Sequence, residues 1–171
     1  DAMISRYFAG VVGDDSPDTL NISLKKTEHL RYGENSQQRA NSYVDPFVQH
    51  SLLDYEQLHG KEISFNNVND LYGAVAVVRE FKDQIVTAAI KHSTPCGVAI
   101  GKDGYDSYMK AYEADPQSIF GGIVAVNYKI DKKTAEEMHK IFLEIVAAPD
   151  FDDDALEILK KKKNLYIRRK T

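Results

Sequence analysis

The spacing of apolar residues changes repeatedly along this chain, and each change predicts an element. Leu71, Ala74, Val75, Val78 and Phe81 recur three or four positions apart, the spacing of one face of an amphipathic helix. A helix is expected over 69–82, with Asn69 or Asp70 as its N-cap. Residues 84–90 are apolar and β-branched enough to predict a buried strand, and they stop abruptly at Lys91-His92-Ser93-Thr94-Pro95-Cys96-Gly97. Helices over 104–114 and 132–142, the latter capped by Asp131, enclose a strand at 122–126. A short strand at 145–147 ends before Pro149, a helix carries Ala155, Leu156, Ile158 and Leu159, and 165–167 read as a closing strand. Strands and helices alternating at these lengths imply an α/β fold whose sheet is covered on both faces, a three-layer α/β/α arrangement.

The first forty-odd residues read differently. Residues 1–9 resemble the end of a helix, with Ile4, Tyr7 and Phe8 on one side, broken by Gly10, Gly13 and Pro17. A helix opening at the first residue suggests a piece of an upstream region, so 1–19 are expected to be helix and linker and 20–171 the domain proper. Alternating residues at 20–24 and 42–44 predict two strands flanking a loop rich in Asn and Gln.

Composition bounds the function. The 171 residues, 43% hydrophobic, suffice for one ordinary core, and the net charge of −4 gives no long-range attraction to nucleic acid or an anionic membrane. Any anionic ligand must therefore be held by local positive groups. One cysteine, Cys96, can form neither an internal disulfide nor a thiolate cluster, which fits a reducing, cytoplasmic setting. No apolar run is long enough to span a bilayer, and no signal peptide is evident.

Chemistry concentrates at Lys91 and His92, two ionisable neighbours at the end of an apolar strand. Consecutive residues of an extended segment point to opposite sides, so one pocket can receive both only if the chain turns, which Ser93 to Pro95 would allow. A lysine beside a second cation is pushed toward neutrality and a histidine exchanges protons near pH 7, a pairing suited to acid-base work on an amine. The same dipeptide also reads as a solvated strand end. Cys96 lacks the second cysteine three positions on, and His92 the nearby Glu, that a zinc deaminase needs, so a packed thiol is expected and no metal site.

Other segments stay open on their residues alone. Arg31, ahead of Gly33, could fork onto a phosphate or carboxylate, or pair with Glu34. Asn66, Asn67 and Asp70 could cap a helix or read a carboxamide edge. Phe120-Gly121-Gly122 could leave backbone open to a flat ring or form a bend. The run Asp150, Asp152, Asp153 and Asp154 reads as helix capping, Lys160 to Lys163 as a solvated face, and His29, His50, His59 and His139 receive no role.

In order, Leu30-Arg31-Tyr32-Gly33-Glu34-Asn35, Ser64-Phe65-Asn66-Asn67 with Asp70, Lys91-His92 with Pro95-Cys96-Gly97, Asp115 with Ser118 and Phe120-Gly121-Gly122, Ala148-Pro149 and Lys161-Lys162-Lys163-Asn164-Leu165 resemble the AICAR transformylase region of a family of bifunctional purine-biosynthesis enzymes that also contain an IMP cyclohydrolase. The likeness runs over nearly the whole chain. It implies a cytidine-deaminase-like fold, with residues 20–171 as the first of two related transformylase subdomains. The implied activity is transfer of a formyl group from 10-formyltetrahydrofolate, a co-substrate, to the amine of AICAR in IMP biosynthesis. His92 would help remove the amine proton, and Lys91 would protonate the leaving folate nitrogen or stabilise the oxyanion. Arg31 and Tyr32 would hold the phosphate end of AICAR and Asn67 its nucleotide, while Phe120, Gly121 and Glu144 would contact the folate. A second subdomain and a homodimer would complete the site, leaving this segment inactive or weakly active alone. A module of the same fold that binds a nucleotide or folate without catalysis is the alternative, which would not require Lys91 and His92 together. The chain departs from the family pattern at Ser36-Gln37-Gln38, where Pro-His-Gln is common, and at Ser93-Thr94.

Overall fold

The computed structural model describes residues 1–14, 16–48 and 55–170; His50 lies outside them. The chain divides into two compact units, Asp1–His29 with Asn41–His50, and Leu30–Ala40 with Ser51–Thr171.

The first unit contains helix α1 (Ala2–Val12) and most of a two-stranded sheet of β1 (Lys25–Leu30) and β2 (Ala40–Val44). Gly10 does not break α1, since a single glycine costs a helix interior only about 1 kcal/mol; the helix runs on to Gly13, whose left-handed backbone caps it. No residue of α1 is buried. The strand expected at 20–24 is absent, and Leu20, Ile22 and Leu24 are exposed; pairing with β2 is taken by 25–30 instead.

The second unit is a six-stranded mixed sheet formed by β3 (Tyr55–His59), β4 (Ile85–Lys91), β5 (Thr94–Gly101), β6 (Ile123–Val126), β7 (Ile145–Ala148) and β8 (Tyr166–Lys170). Their order is β3-β8-β7-β6-β4-β5. β6, β7 and β8 are parallel, and β3, β4 and β5 each pair antiparallel with their neighbours. Helices α2 (Phe65–Arg79), α3 (Gly104–Ala114), α4 (Lys132–Lys140) and α5 (Asp153–Lys160) complete it. Alternation along the strands sorts the core into two layers. Ala89, Val124, Val126, Val146, Ala148 and Ile167 pack beneath α3, α4 and α5, which contribute Tyr108, Met138 and Leu159. Val86, Ala88, Ile90, Ile123, Ala125, Ile145 and Ala147 face α2 through Leu71, Ala74, Val75 and Val78. The fold is thus three-layer α/β/α, as the alternation of elements implied.

Several boundaries differ from the sequence reading. α2 starts at Phe65 because Ser64, not Asn69 or Asp70, is its N-cap. The Asn67 amide donates to Ser64 Oγ (3.2 Å) and the Ser64 amide to Asn67 Oδ1 (3.1 Å), a reciprocal cap. Residues 94–101, for which the sequence predicts no strand, form β5. An edge strand tolerates proline, and the glycines answer to α3: a Cβ on Gly97 would lie 2.1 Å from the Ala111 carbonyl oxygen, and one on Gly101 2.2 Å from the Ser107 nitrogen. α4 ends at Lys140, leaving Ile141 to Glu144 in neither helix nor strand. Lys162 is no part of a solvated face: it is half-buried, its Nζ donates to the Ile141 carbonyl, and burial lowers its pKa.

Candidate functional site

β4 ends where β6 begins, since Ile90 pairs with Ile123, and β7 and β8 start at the same level through the Ile123–Ile145 and Ile145–Tyr166 pairs. The amino end of α2 lies here as well, because the Arg31 and Phe65 amides donate to the Ile63 and Tyr32 carbonyls. One end of the sheet therefore gathers the last residue of β4, the segments preceding β6, β7 and β8, and the loop at 31–39.

Lys91 carries its ammonium to the segment before β6, donating from Nζ to the Phe120 carbonyl at 2.7 Å. Gly121 there has φ 73, a conformation glycine takes without strain. A Cβ at that position would stand 3.7 Å from the Phe142 ring and 3.9 Å from Lys91 Nζ. The Gly121 amide donates to the Phe142 carbonyl (2.8 Å) and the Glu144 amide to the Gly122 carbonyl (2.9 Å), so the segments before β6 and β7 are zipped together. Above them the Phe120 ring is 56% exposed and tilted against Phe142, with centroids 5.6 Å apart, forming an apolar ledge.

Phe142 also walls a cleft of about 280 Å³ lined by Arg31, Lys61, Phe142, Glu144, Lys163, Asn164 and Tyr166. Three of these side chains are cationic and one is anionic. Glu144 Oε2 accepts a 2.5 Å hydrogen bond from Asn67 Nδ2, while Asn67 Oδ1 is held by the Ser64 cap. Arg31 folds over Tyr32, its guanidinium carbon 4.7 Å from the ring centroid and its Nη2 donating to Tyr32 Oη at 2.9 Å.

Of the residues singled out in the sequence, Arg31 and Glu144 line this cleft and Asn67 reaches it through Glu144; Lys91, Phe120 and Gly121 cluster beside Phe142. Neither Lys91 nor His92 lines the cleft itself. His92 sits at the tip of the β4–β5 hairpin with an exposed side chain. The turn expected at Ser93 to Pro95 falls one residue earlier, at His92–Ser93, where both φ values are positive (51° and 59°).

Cys96 is half-buried at the irregularity where Ala89 pairs with Gly97 but Ile90 with Pro95. Burial, followed by the charge of Asp115, pushes its thiol pKa up, which disfavours a thiolate. Among the described residues no group of three or more His, Cys, Asp or Glu side chains is placed to hold a metal ion.

Sequence reasoning missed Ser64, whose spacing to Asn67 was the available signal, and the lining residues Lys61, Phe142, Lys163 and Asn164. Lys163 was read with its basic neighbours as solvated surface. Lys163 is exposed, as that reading has it, and still borders the cleft: the pattern of a helix end shows which residues are charged, not which of them face a cleft.

The AICARFT/IMPCHase bienzyme family model matches residues 1–170. The chain is 57% identical over 169 residues to the bifunctional purine biosynthesis protein PurH of Clostridioides difficile, covering 98% of this chain and 33% of that protein. PurH proteins of Bacillus cereus and Bacillus anthracis are 54% and 53% identical over 168 residues, at the same coverage. The chain thus spans about a third of the length of the curated relatives it matches. By sequence along nearly its whole length, it belongs to the AICARFT/IMPCHase bienzyme family.

Proposed function

We propose that this chain supplies part of the site at which a formyl group passes from 10-formyltetrahydrofolate to AICAR in IMP biosynthesis. The observation that carries this reading is the meeting, at one end of the sheet, of a cation-lined cleft and an apolar ledge beside Lys91. Arg31, Lys61 and Lys163 suit a nucleotide phosphate, arginine through its planar fork and the lysines as point charges. Tyr32 fixes the Arg31 guanidinium rather than lining the cleft. Glu144, expected at the folate, shares the cleft with Arg31 and is bonded to Asn67, which suits a contact with the nucleotide as well. The exposed Phe120 ring matches a flat folate ring, and Gly121 beside it has no side chain to obstruct one.

In the reaction the AICAR amine nitrogen bonds to the formyl carbon, and the bond from that carbon to the folate nitrogen breaks. His92 takes the proton the amine loses. Lys91 gives a proton to the departing folate nitrogen or a hydrogen bond to the oxyanion. The amine is conjugated to its ring and is a weak nucleophile, so acid-base help of about 100- to 10,000-fold is appropriate. A second transformylase subdomain and a partner subunit would supply the remaining contacts, and a cytoplasmic location accompanies this chemistry.

The exposed His92 ring is the feature that favours the other reading, a binding module without catalysis. His92→Ala in the full-length enzyme separates the two. Formyl transfer should be lost while AICAR binding, followed by calorimetry, persists; an unchanged rate would remove the catalytic role.

A further inference from the structure

We infer that Asp70 is the positioning residue that sets the direction of the His92 imidazole. The inference rests on the reading of His92 as the proton acceptor. The β4–β5 hairpin closes through only two residues, between the paired Lys91 and Thr94, and both lie in the left-handed region, His92 at φ 51 and Ser93 at φ 59. Two-residue hairpins of this kind favour Asn and Gly, because a Cβ is crowded at positive φ. Here neither residue is of that type, so something outside the turn must hold it.

Asp70, half-buried in the second turn of α2, does so from the next layer. Its Oδ2 accepts from the His92 amide at 3.0 Å, and its Oδ1 from the Ser93 amide at 2.7 Å and Ser93 Oγ at 3.2 Å. Asn69 Nδ2 adds a bond to Ser93 Oγ at 2.7 Å. Two consecutive amides aimed at one point make a small anion-binding concavity, and the occupant here is the protein's own carboxylate. These charge-assisted bonds exist only while the turn is left-handed at both residues. Asp70 therefore fixes the backbone from which the His92 side chain departs. It keeps Lys91, one residue earlier, on the last rung of the ladder with its ammonium on Phe120. The turn at His92–Ser93, one residue earlier than expected, is the one whose two amides the carboxylate reaches.

The test is steady-state kinetics of the full-length enzyme, with thermal melting of every variant. Asp70→Asn keeps the volume but turns one acceptor into a donor facing an amide. Misplacing a catalytic group by about 1 Å costs about 100-fold, so kcat should fall by that order while KM for AICAR and for the folate stays within about threefold. Adding Ser93→Gly should recover about tenfold in kcat, because glycine adopts positive φ without outside help. Should Asp70→Asn fail to fold, Asp70→Glu keeps the charge but displaces it by one methylene and should show the same split, kcat down and KM kept. Unchanged kcat in the aspartate variants, or a loss that Ser93→Gly does not repair, would overturn the inference. His92→Ala is the control: if it is dead while Asp70→Asn is intact, only the role of Asp70 fails, and if it is fully active, the catalytic reading fails and this one with it.

Discussion

The two faces of the six-stranded sheet are built alike and used differently. Beneath α3, α4 and α5 the buried side chains are almost all apolar, and one polar group among them is knit internally: Thr87 Oγ1 lies 2.9 Å from Ser107 Oγ and 2.8 Å from Tyr128 Oη. Beneath α2 the packing is equally dry, but the polar residues at the amino end of that helix reach outward. Asn67 binds Glu144 at the cleft, and Asp70 binds the turn that carries His92. One face makes the fold, and the other couples it to the site. A helix can serve both ends only if its start is locked, which the Ser64 cap accomplishes.

This division can be broken by substitution. Leu159→Ala on the α5 side removes a fully buried side chain and should cost about 2 to 5 kcal/mol of stability in denaturant unfolding. The nucleotide affinity of the folded protein should stay unchanged; a fall in affinity would mean that the faces are not separable. Asn67→Ala on the other side deletes half of the cap and strands a half-buried Glu144, for about 1 to 3 kcal/mol. Here AICAR affinity should weaken together with stability, and retained affinity would detach Glu144 from the nucleotide. The smallest effect concerns pH. Hydrogen bonding by Ser118, through its side chain and then its backbone, holds the Asp115 carboxyl below its ordinary 3.8. A carboxyl lowered on folding adds stability above pH 3.8 that disappears as the pH drops through the lowered value. An NMR titration of Asp115 should show that lowered midpoint, and Ser118→Ala should move it upward.

Much of the framework was legible from periodicity. α3 begins and ends where the spacing put it, and α4 begins at the helix start implied by Asp131. Those elements carry their own caps and apolar stripes, so local signals and tertiary structure agree. β3 and β5 were not legible. β5 contains Pro95, Gly97 and Gly101, a loop composition in isolation, and it becomes a strand because β4 offers a partner and α3 needs glycines to approach. The site shows the same limit. Lys91, Phe120, Gly121, Arg31, Asn67 and Glu144 stand out as residue types, and the structure puts them at one end of the sheet. Asp70 read as a helix cap or a carboxamide contact and not as a brace for the turn, because its partners lie 22 and 23 residues further along the chain.

The direction of the helices bears on how an anion can be recognised at this place. α3, α4 and α5 all finish toward the cleft end, the last two leading within a few residues to its walls at Phe142 and at Lys163–Asn164. Their carboxyl termini present partial negative charge there. These three helix ends thus oppose a phosphate, whereas the amino end of α2 favours one, and much of the attraction falls to cationic side chains near water. Such attraction is shielded by dissolved ions within about 8 Å at physiological ionic strength. Nucleotide capture at this edge should accordingly weaken with added salt far more than contact with the Phe120 ledge.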